Sequence, residues 1–343
     1  MSFDSTPYKI FRACLVVLLM NSLVNTSFGQ YKNLVFEGAG VRGIAYAGAL
    51  SVLEEKDMLA NVEKVSGTSA GAIAALTVAL GYTSHEIENI IYNTRIQKFN
   101  DGRFIFFGGL SRLNRRYGWY RGIAFTKWVS RIIAQKTRDA DITFRQLHER
   151  GFRDLYITGT SINNQKLVIF SFETYPDMKV RDAVRISVSI PLYFEPVCVD
   201  QWGTVVDPKR AKVPYDIMVD GGFTGNFPIW VFDSVAGEKV DPHTLGFRID
   251  SPAQISYDTT SQRLAPVPVD KLGNYIGGIY NYVIENLNRS SLSEADWTRT
   301  VSISSGNIGP KIRKLSIAEK NMLLANGRQA MHAFLQAHTV VTD

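Results

Sequence analysis

Five consecutive residues, Gly67-Thr68-Ser69-Ala70-Gly71, pair a hydroxyl with the small neighbours that a sharp strand-to-helix turn requires. An apolar run, Val62 to Ser66, leads into them, and a helical pattern, Ala70 to Leu80, follows. In that setting the serine stands clear of a sheet at a helix N-terminus, where backbone N–H groups and the helix dipole favour a developing anion. The chemistry would be nucleophilic attack by the hydroxyl. The plainer reading is a Gly-rich turn without chemistry, and the pentapeptide alone leaves both open.

Upstream, Glu37-Gly38-Ala39-Gly40-Val41-Arg42-Gly43 follows apolar Leu34-Val35-Phe36 and precedes a helix with Ile44, Ala47, Leu50 and Leu53 on one side. Glycines here let the backbone approach an anion closely. Gly38, Gly40 and Gly43 fit G-x-G-x-x-G, so one reading is a dinucleotide pyrophosphate site. The other is an oxyanion hole for acyl transfer. The dinucleotide reading needs an acidic residue at the end of the second strand, roughly 20 residues on. The nearest acid, Glu63, lies inside the strand run, which goes straight into the serine turn; this favours the oxyanion hole. Downstream, Val219-Asp220-Gly221-Gly222 closes an apolar run that starts at Ile217. It reads as an ordinary Asp-Gly turn or, beside a serine that lacks a base, as that base.

These three pieces, in this order, resemble the patatin-like phospholipases over about Tyr31 to Asp250. The run Ser187-Val188-Ser189-Ile190-Pro191-Leu192-Tyr193-Phe194 is similar to that family's small-residue helix ending in proline and an aromatic pair, and Asn226 and Pro228 follow Asp220 at the expected interval. Ala39 departs from the commoner triple-glycine loop. It is harmless if its N–H donates to the oxyanion and strained if the position needs φ > 0. The resemblance implies a Ser69–Asp220 dyad acting on acyl esters of lipids, an oxyanion hole in Gly38–Gly43, and no metal or cofactor. Arg42 would brace the loop or neutralise a substrate phosphate.

An ordinary carboxylate is a weak base for serine, so a dyad needs a desolvated aspartate. The competing design is a Ser–Asp–His triad. Of the five histidines, His243 alone follows Asp220 within the resembling region, and it precedes a strand run, Thr244 to Ile249. It reads as a loop residue. His85, His148, His332 and His338 fall on helical patterns and read as surface or packing residues.

The elements that must position these groups alternate strand and helix. That implies a three-layer α/β/α fold around a mostly parallel sheet, with C-terminal helices added. Thr83 with Glu86 predicts a capped helix over 84–97, Thr126 caps a helix through Trp128, Ile132 and Ile133, and Thr143 with Gln146 repeats the capping box. Strands are expected at 154–161 and 166–172, joined at Asn163-Asn164, and a helix at 182–189 stopped by Pro191. Residues 201–214 read as loop, 252–268 as a proline-bearing linker, and 269–287 and 316–336 as helices. The implied organisation is a catalytic domain over 30–250 and a helical extension over 251–343 packing on it.

The first 29 residues read separately. Lys9 and Arg12 flank the start of an apolar run, Cys14 to Met20, and Ser27-Phe28-Gly29 offers small residues for cleavage before Gln30. The run is too short to span a membrane. A cleaved export signal is expected; the alternative is an amphipathic or irregular lead-in. Cys198 then stands alone between Val197 and Val199 and is expected to be buried. The net charge of +6 favours anionic partners, and without a nucleic-acid recognition motif an anionic membrane fits better. The densest basic-aromatic segment, Arg103 to Arg121, holds Phe104, Phe106, Phe107, Trp119 and Tyr120 among Arg112, Arg115 and Arg116. It reads as an interfacial insertion loop, with Gly108-Gly109 and Gly118 as hinges, or as a packed cap with its arginines in water.

Overall fold

The computed structural model describes residues 31–102, 105–234, 239–260, 263–267, 269–289, 291–310 and 312–339. The expected export signal and Arg103 and Phe104 lie outside the described residues, as do the side chains of Phe106 and Phe107. The elements in chain order begin with β1 (Asn33–Phe36), α1 (Ala45–Glu55), β2 (Lys64–Gly67), α2 (Ala70–Ala79), α3 (Ser84–Asn93) and α4 (Ile105–Arg116). Next come β3 (Gly118–Tyr120), α5 (Ile123–Thr137), α6 (Phe144–Glu149), β4 (Asp154–Ser161), β5 (Lys166–Phe170), α7 (Val180–Ser187), β6 (Leu192–Phe194) and β7 (Val197–Val199). The chain continues through β8 (Asp216–Asp220), α8 (Gly222–Gly225), β9 (Thr244–Asp250), α9 (Pro252–Thr260), α10 (Leu272–Arg289), α11 (Glu294–Thr298), β10 (Thr300–Ser304) and α12 (Ile317–Thr339).

The main sheet runs β10-β9-β1-β2-β4-β8-β7, with β5 also on β4. From β10 through β4 the strands are parallel; β5 and β8 are antiparallel to β4, and β7 to β8. Helices flank this sheet, α2 packing on β2, β1 and β4, and α12 on α1 and β10. The central strands are covered on both sides, which is why they read as near-continuous apolar runs. Leu34, Phe36, Val65, Ile157, Leu245, Phe247 and Ile303 are fully buried on them.

One detail of register builds the site. Ile157 of β4 faces Gly67 on one edge and Phe170 on the other, while Gly159 faces Val168 and Asp220. β2 and β8 therefore meet end to end along the same edge of β4. The turn after Gly67 and the last residue of β8 are brought head to head.

Local expectations fare unevenly. The capping boxes at Thr83–Glu86 and Thr143–Gln146 are both present. α3 stops at Asn93 because Thr94 is extended, and a 3-10 turn over Ile96–Phe99 replaces its last turn. Thr126 does not cap α5, which starts earlier, at Ile123. Its first amides are met by Asp101, whose carboxylate accepts from Gly122 and Ala124 N–H at 2.8 and 2.9 Å. α7 runs two residues earlier than expected. The expected linker opens with α9, whose proline sits where a helix tolerates it. Beyond residue 250 the chain adds β10 to the sheet, a strand the sequence reading does not anticipate. The basic-aromatic segment forms α4 and β3 rather than a loop, with Gly109 against the Trp119 ring and Arg112 Nε donating to Trp119 O at 2.9 Å. Cys198 is buried and unbonded to another sulfur.

Candidate active site

Ser69 stands between β2 and α2 with φ 53° and ψ −117°, a conformation that costs a non-glycine residue about 1–3 kcal/mol. Its neighbours hold it there. A Cβ on Gly67 would lie 2.2 Å from Gly71 O, and one on Gly71 would lie 2.2 Å from Phe36 O, so both positions require glycine. Thr68 points the other way and is bonded to Thr158 Oγ1 at 2.6 Å and Gly225 O at 2.8 Å. The Ser69 N–H donates to Ser187 Oγ at 2.9 Å, which ties the last residue of α7 to the turn.

The loop Gly38–Gly43 lies at the carboxyl end of β1, beside the Ser69 turn, because Phe36 and Gly67 are register partners. Gly40, with φ +56°, takes the left-handed position; Ala39 sits at φ −132° and ψ 6°, so this position does not need φ > 0. The departure from a triple glycine therefore forces no left-handed alanine. Gly38 N–H is committed to Asn226 O at 3.0 Å and Arg42 N–H to Ala39 O at 3.2 Å. Gly43 N–H falls within the 3-10 turn that Gly40–Ile44 forms. The N–H groups of Ala39, Gly40, Val41 and Ala70 have no acceptor among the described residues. The donors open to a ligand are thus fewer than the whole loop suggests. The Arg42 side chain braces the turn, its Nε donating to Ala39 O at 3.1 Å.

Asp220 ends β8 with 4% of its surface exposed. Its backbone N–H donates to Ser189 O at 3.0 Å. Burial pushes the carboxyl up to about 7, against opposing hydrogen bonds from Gly222 N–H, at 2.8 Å, and from the Ser69 side chain. No cation contributes. Gly221 and Gly222 form the start of α8 rather than an exposed turn. Asn288 of α10, which no motif marks, locks this turn: its Oδ1 accepts from Asn226 N–H at 2.6 Å and its Nδ2 donates to Gly222 O at 3.4 Å. Asn226 Nδ2 in turn donates to Gly38 O at 3.1 Å, so one chain of amides links both loops.

Ser69, Gly40 and Val41 open into a cavity of about 190 Å³ whose other walls are nearly all apolar, among them Ile73, Ile90, Phe99, Phe125 and Trp128. None of the five histidines lines it. His243 precedes β9 and its carbonyl accepts from Lys32 and Asn33 N–H, so it sits at the amino ends of the parallel strands, opposite Ser69. Glu63 lies one residue before β2, not inside it, at that same amino end, paired with Lys32 at 2.9 Å. It cannot hold a ribose beside Gly38–Gly43.

Behind the loop lies a second set of charges. Glu37 Oε1 is 2.9 Å from Arg248, whose guanidinium is wholly buried between the Phe227 and Trp297 rings. Arg248 also faces Asp250 at 3.6 Å and Glu285 at 3.5 Å, and Arg289 pairs with Asp250 at 2.7 Å and with Asp258. Four carboxyls share two guanidinium groups. Burial pushes Glu37 up to about 8, with Arg248 opposing. Asp250 is held below its ordinary value by Arg248 and Arg289 despite its burial.

Fold and site together define an α/β protein with a serine held in strain beside a buried carboxyl, at the mouth of an apolar cavity. The family model described as patatin-like phospholipase matches residues 34–233. The uncharacterised protein YqhO of Bacillus subtilis is 37% identical over 230 residues, 64% of this chain and 72% of that one. The probable lipid hydrolase 463L of Invertebrate iridescent virus 6 is 28% identical over 209 residues, 58% of this chain and 62% of that one. Among solved structures, VipD from Legionella pneumophila superposes with a TM-score of 0.56 at 16% identity, covering 90% of this chain and 67% of that one, a likeness of fold. The chain belongs to the patatin-like phospholipase family, and lipid hydrolysis is the activity class that membership carries.

Proposed function

We propose that the chain is a lipid acyl hydrolase of the phospholipase A or lysophospholipase type, which cleaves carboxylic esters with a Ser69–Asp220 dyad. The observation that carries this reading is the buried, cation-free Asp220 carboxyl within hydrogen-bonding reach of the strained Ser69 side chain. A pKa near 7 makes that carboxylate a better base than an exposed aspartate and keeps it largely ionised just above neutrality.

Ser69 Oγ attacks the ester carbonyl carbon while its proton passes to Asp220. The N–H groups of Ala39, Gly40, Val41 and Ala70 are the donors available to the oxyanion; one such donor is worth about 10²–10³ in kcat. The intermediate collapses, the proton moves from Asp220 to the leaving alcohol oxygen, and an acyl-serine remains. Water then attacks the acyl carbon, gives a proton to Asp220, and Ser69 takes that proton back as the fatty acid leaves. The apolar cavity suits the acyl chain. Surface contact through 103–121 belongs to the same proposal, with Leu110 and Tyr117 exposed beside Arg115 and Arg116.

The test is fatty-acid release from mixed phospholipid and neutral-lipid vesicles. Release by the parent, abolished in folded Ser69→Ala and Asp220→Asn, is the expected result. Equal release from all three proteins would overturn the assignment.

A further inference from the structure

On the far side of the acyl cavity's wall lies an open groove of about 570 Å³. Ile90, Thr94, Phe99 and Trp128 line both spaces, so one layer of side chains separates them. That layer is well fixed. Phe99, Phe125 and Trp128 pack ring to ring at 5.3–5.6 Å between centroids, and the Trp128 indole N–H donates to Thr94 Oγ1 at 3.1 Å.

The groove's rim has one sign of charge. Arg95 and Lys98 come from the turn after α3, Lys127 and Arg131 from α5, and all four are exposed. No acidic residue lines the groove, and none of the four cations is ion-paired among the described residues. Elsewhere on this surface basic side chains do find carboxylates, as Lys136 finds Glu86 and Arg145 finds Asp177. Four unpaired cations above an aromatic and aliphatic floor match one chemistry: a phosphate-bearing head with an apolar body below it.

We propose that this groove binds the headgroup of an anionic phospholipid in a bilayer. The site is separate from the catalytic one and attaches the protein to its substrate surface. Binding does not require Ser69. It holds the bilayer one side-chain layer from the acyl cavity and makes surface attachment depend on anionic lipid.

Sedimentation with vesicles tests this, using Ser69→Ala as parent so that no lipid is consumed. The outcome is therefore independent of the dyad. The parent should bind phosphatidylcholine vesicles doped with phosphatidylglycerol at least about tenfold more tightly than pure phosphatidylcholine, with the preference fading at high salt. Replacing Arg95, Lys98, Lys127 and Arg131 together by Gln should abolish that preference, and Lys127→Gln alone should cost about fivefold, since each basic side chain near an anionic surface is worth about that factor. Lys209→Gln with Arg210→Gln, exposed cations that do not line the groove, should leave it unchanged. Undiminished binding by the quadruple variant, equal loss in the Lys209 and Arg210 variant, or a parent indifferent to phosphatidylglycerol would overturn the proposal. Release by inorganic phosphate beyond that by chloride of equal ionic strength would assign the groove to free phosphate and overturn it too.

Discussion

Asp220 and Asp250 look alike in the sequence. Each ends an apolar strand and precedes a small residue, and each is buried in the fold. Their surroundings differ in one respect. Asp250 has Arg248 and Arg289 against it and stays ionised; Asp220 has only neutral donors and is raised to about 7. Burial acts on both in the same direction, and the presence of a cation decides the outcome. Two guanidinium groups hold the Asp250 carboxyl charged, while Asp220 is held near its titration point.

The largest expected effect falls on the uncompensated side. Ser69→Ala and Asp220→Asn should each lower kcat/KM for acyl-ester hydrolysis by at least about 10⁴, with the double variant no worse than the singles, because the pair acts as a unit. Stability should separate the regions next. In the folded state Asp220 binds its proton at higher pH than when unfolded. Stability due to the protonated form is thus present at pH 4 and lost as pH rises toward 7. Asp220→Asn should therefore stabilise the protein at pH 8 by on the order of 4 kcal/mol, from a shift of 3.8 to about 7, and by almost nothing at pH 4. Urea titrations at the two pH values measure this.

For Asp250 the sign reverses: the folded carboxyl is lowered, so its stabilisation is present above the unfolded value and lost as pH falls. Arg248→Met, which leaves Glu37 and Asp250 buried without their shared cation, should cost about 3–5 kcal/mol at pH 7. A gain in stability would show that Arg248 does not keep these carboxyls charged. Asn288 joins the regions, since it holds the Asp220 turn while its neighbour Arg289 holds Asp250. Asn288→Ala should cost about 1–3 kcal/mol in thermal or urea unfolding. The smallest effect is expected at His243→Ala, with activity unchanged and stability within about 0.5 kcal/mol. A loss of several orders of magnitude in a folded protein would bring back a triad.

The parts of the site legible in sequence are those that backbone geometry forces on residue type. Gly67 and Gly71 had to be glycine because backbone oxygens lie where a Cβ would stand, and Gly40 because its φ is positive. Ala39 was ambiguous in sequence, since only the torsion at that position says whether alanine is strained. The capping boxes at Thr83 and Thr143 were legible because their partners are three residues apart. Asp101 was not, because it caps α5 from more than twenty residues upstream. The same reason hid Asn288, which reaches the Asp220 turn from a later helix, and the Arg248–Glu37 pair, which the pairing of β1 with β9 brings together. Asp220 was visible as a residue, but its base strength depends on the absence of a neighbouring cation. The end-to-end meeting of β2 and β8 on one edge of β4 is a property of register, to which no local pattern points.

Activation of Ser69 by a carboxyl that titrates near neutrality can be read from the rate at which a fluorophosphonate labels the protein across pH 4 to 9, with the modified residue located by peptide mass. The expected result is a single label on Ser69, a rate rising about tenfold per pH unit up to about pH 7 and then level, and slow, flat labelling in Asp220→Asn. A rate independent of pH in the parent, or one unchanged by Asp220→Asn, would contradict it.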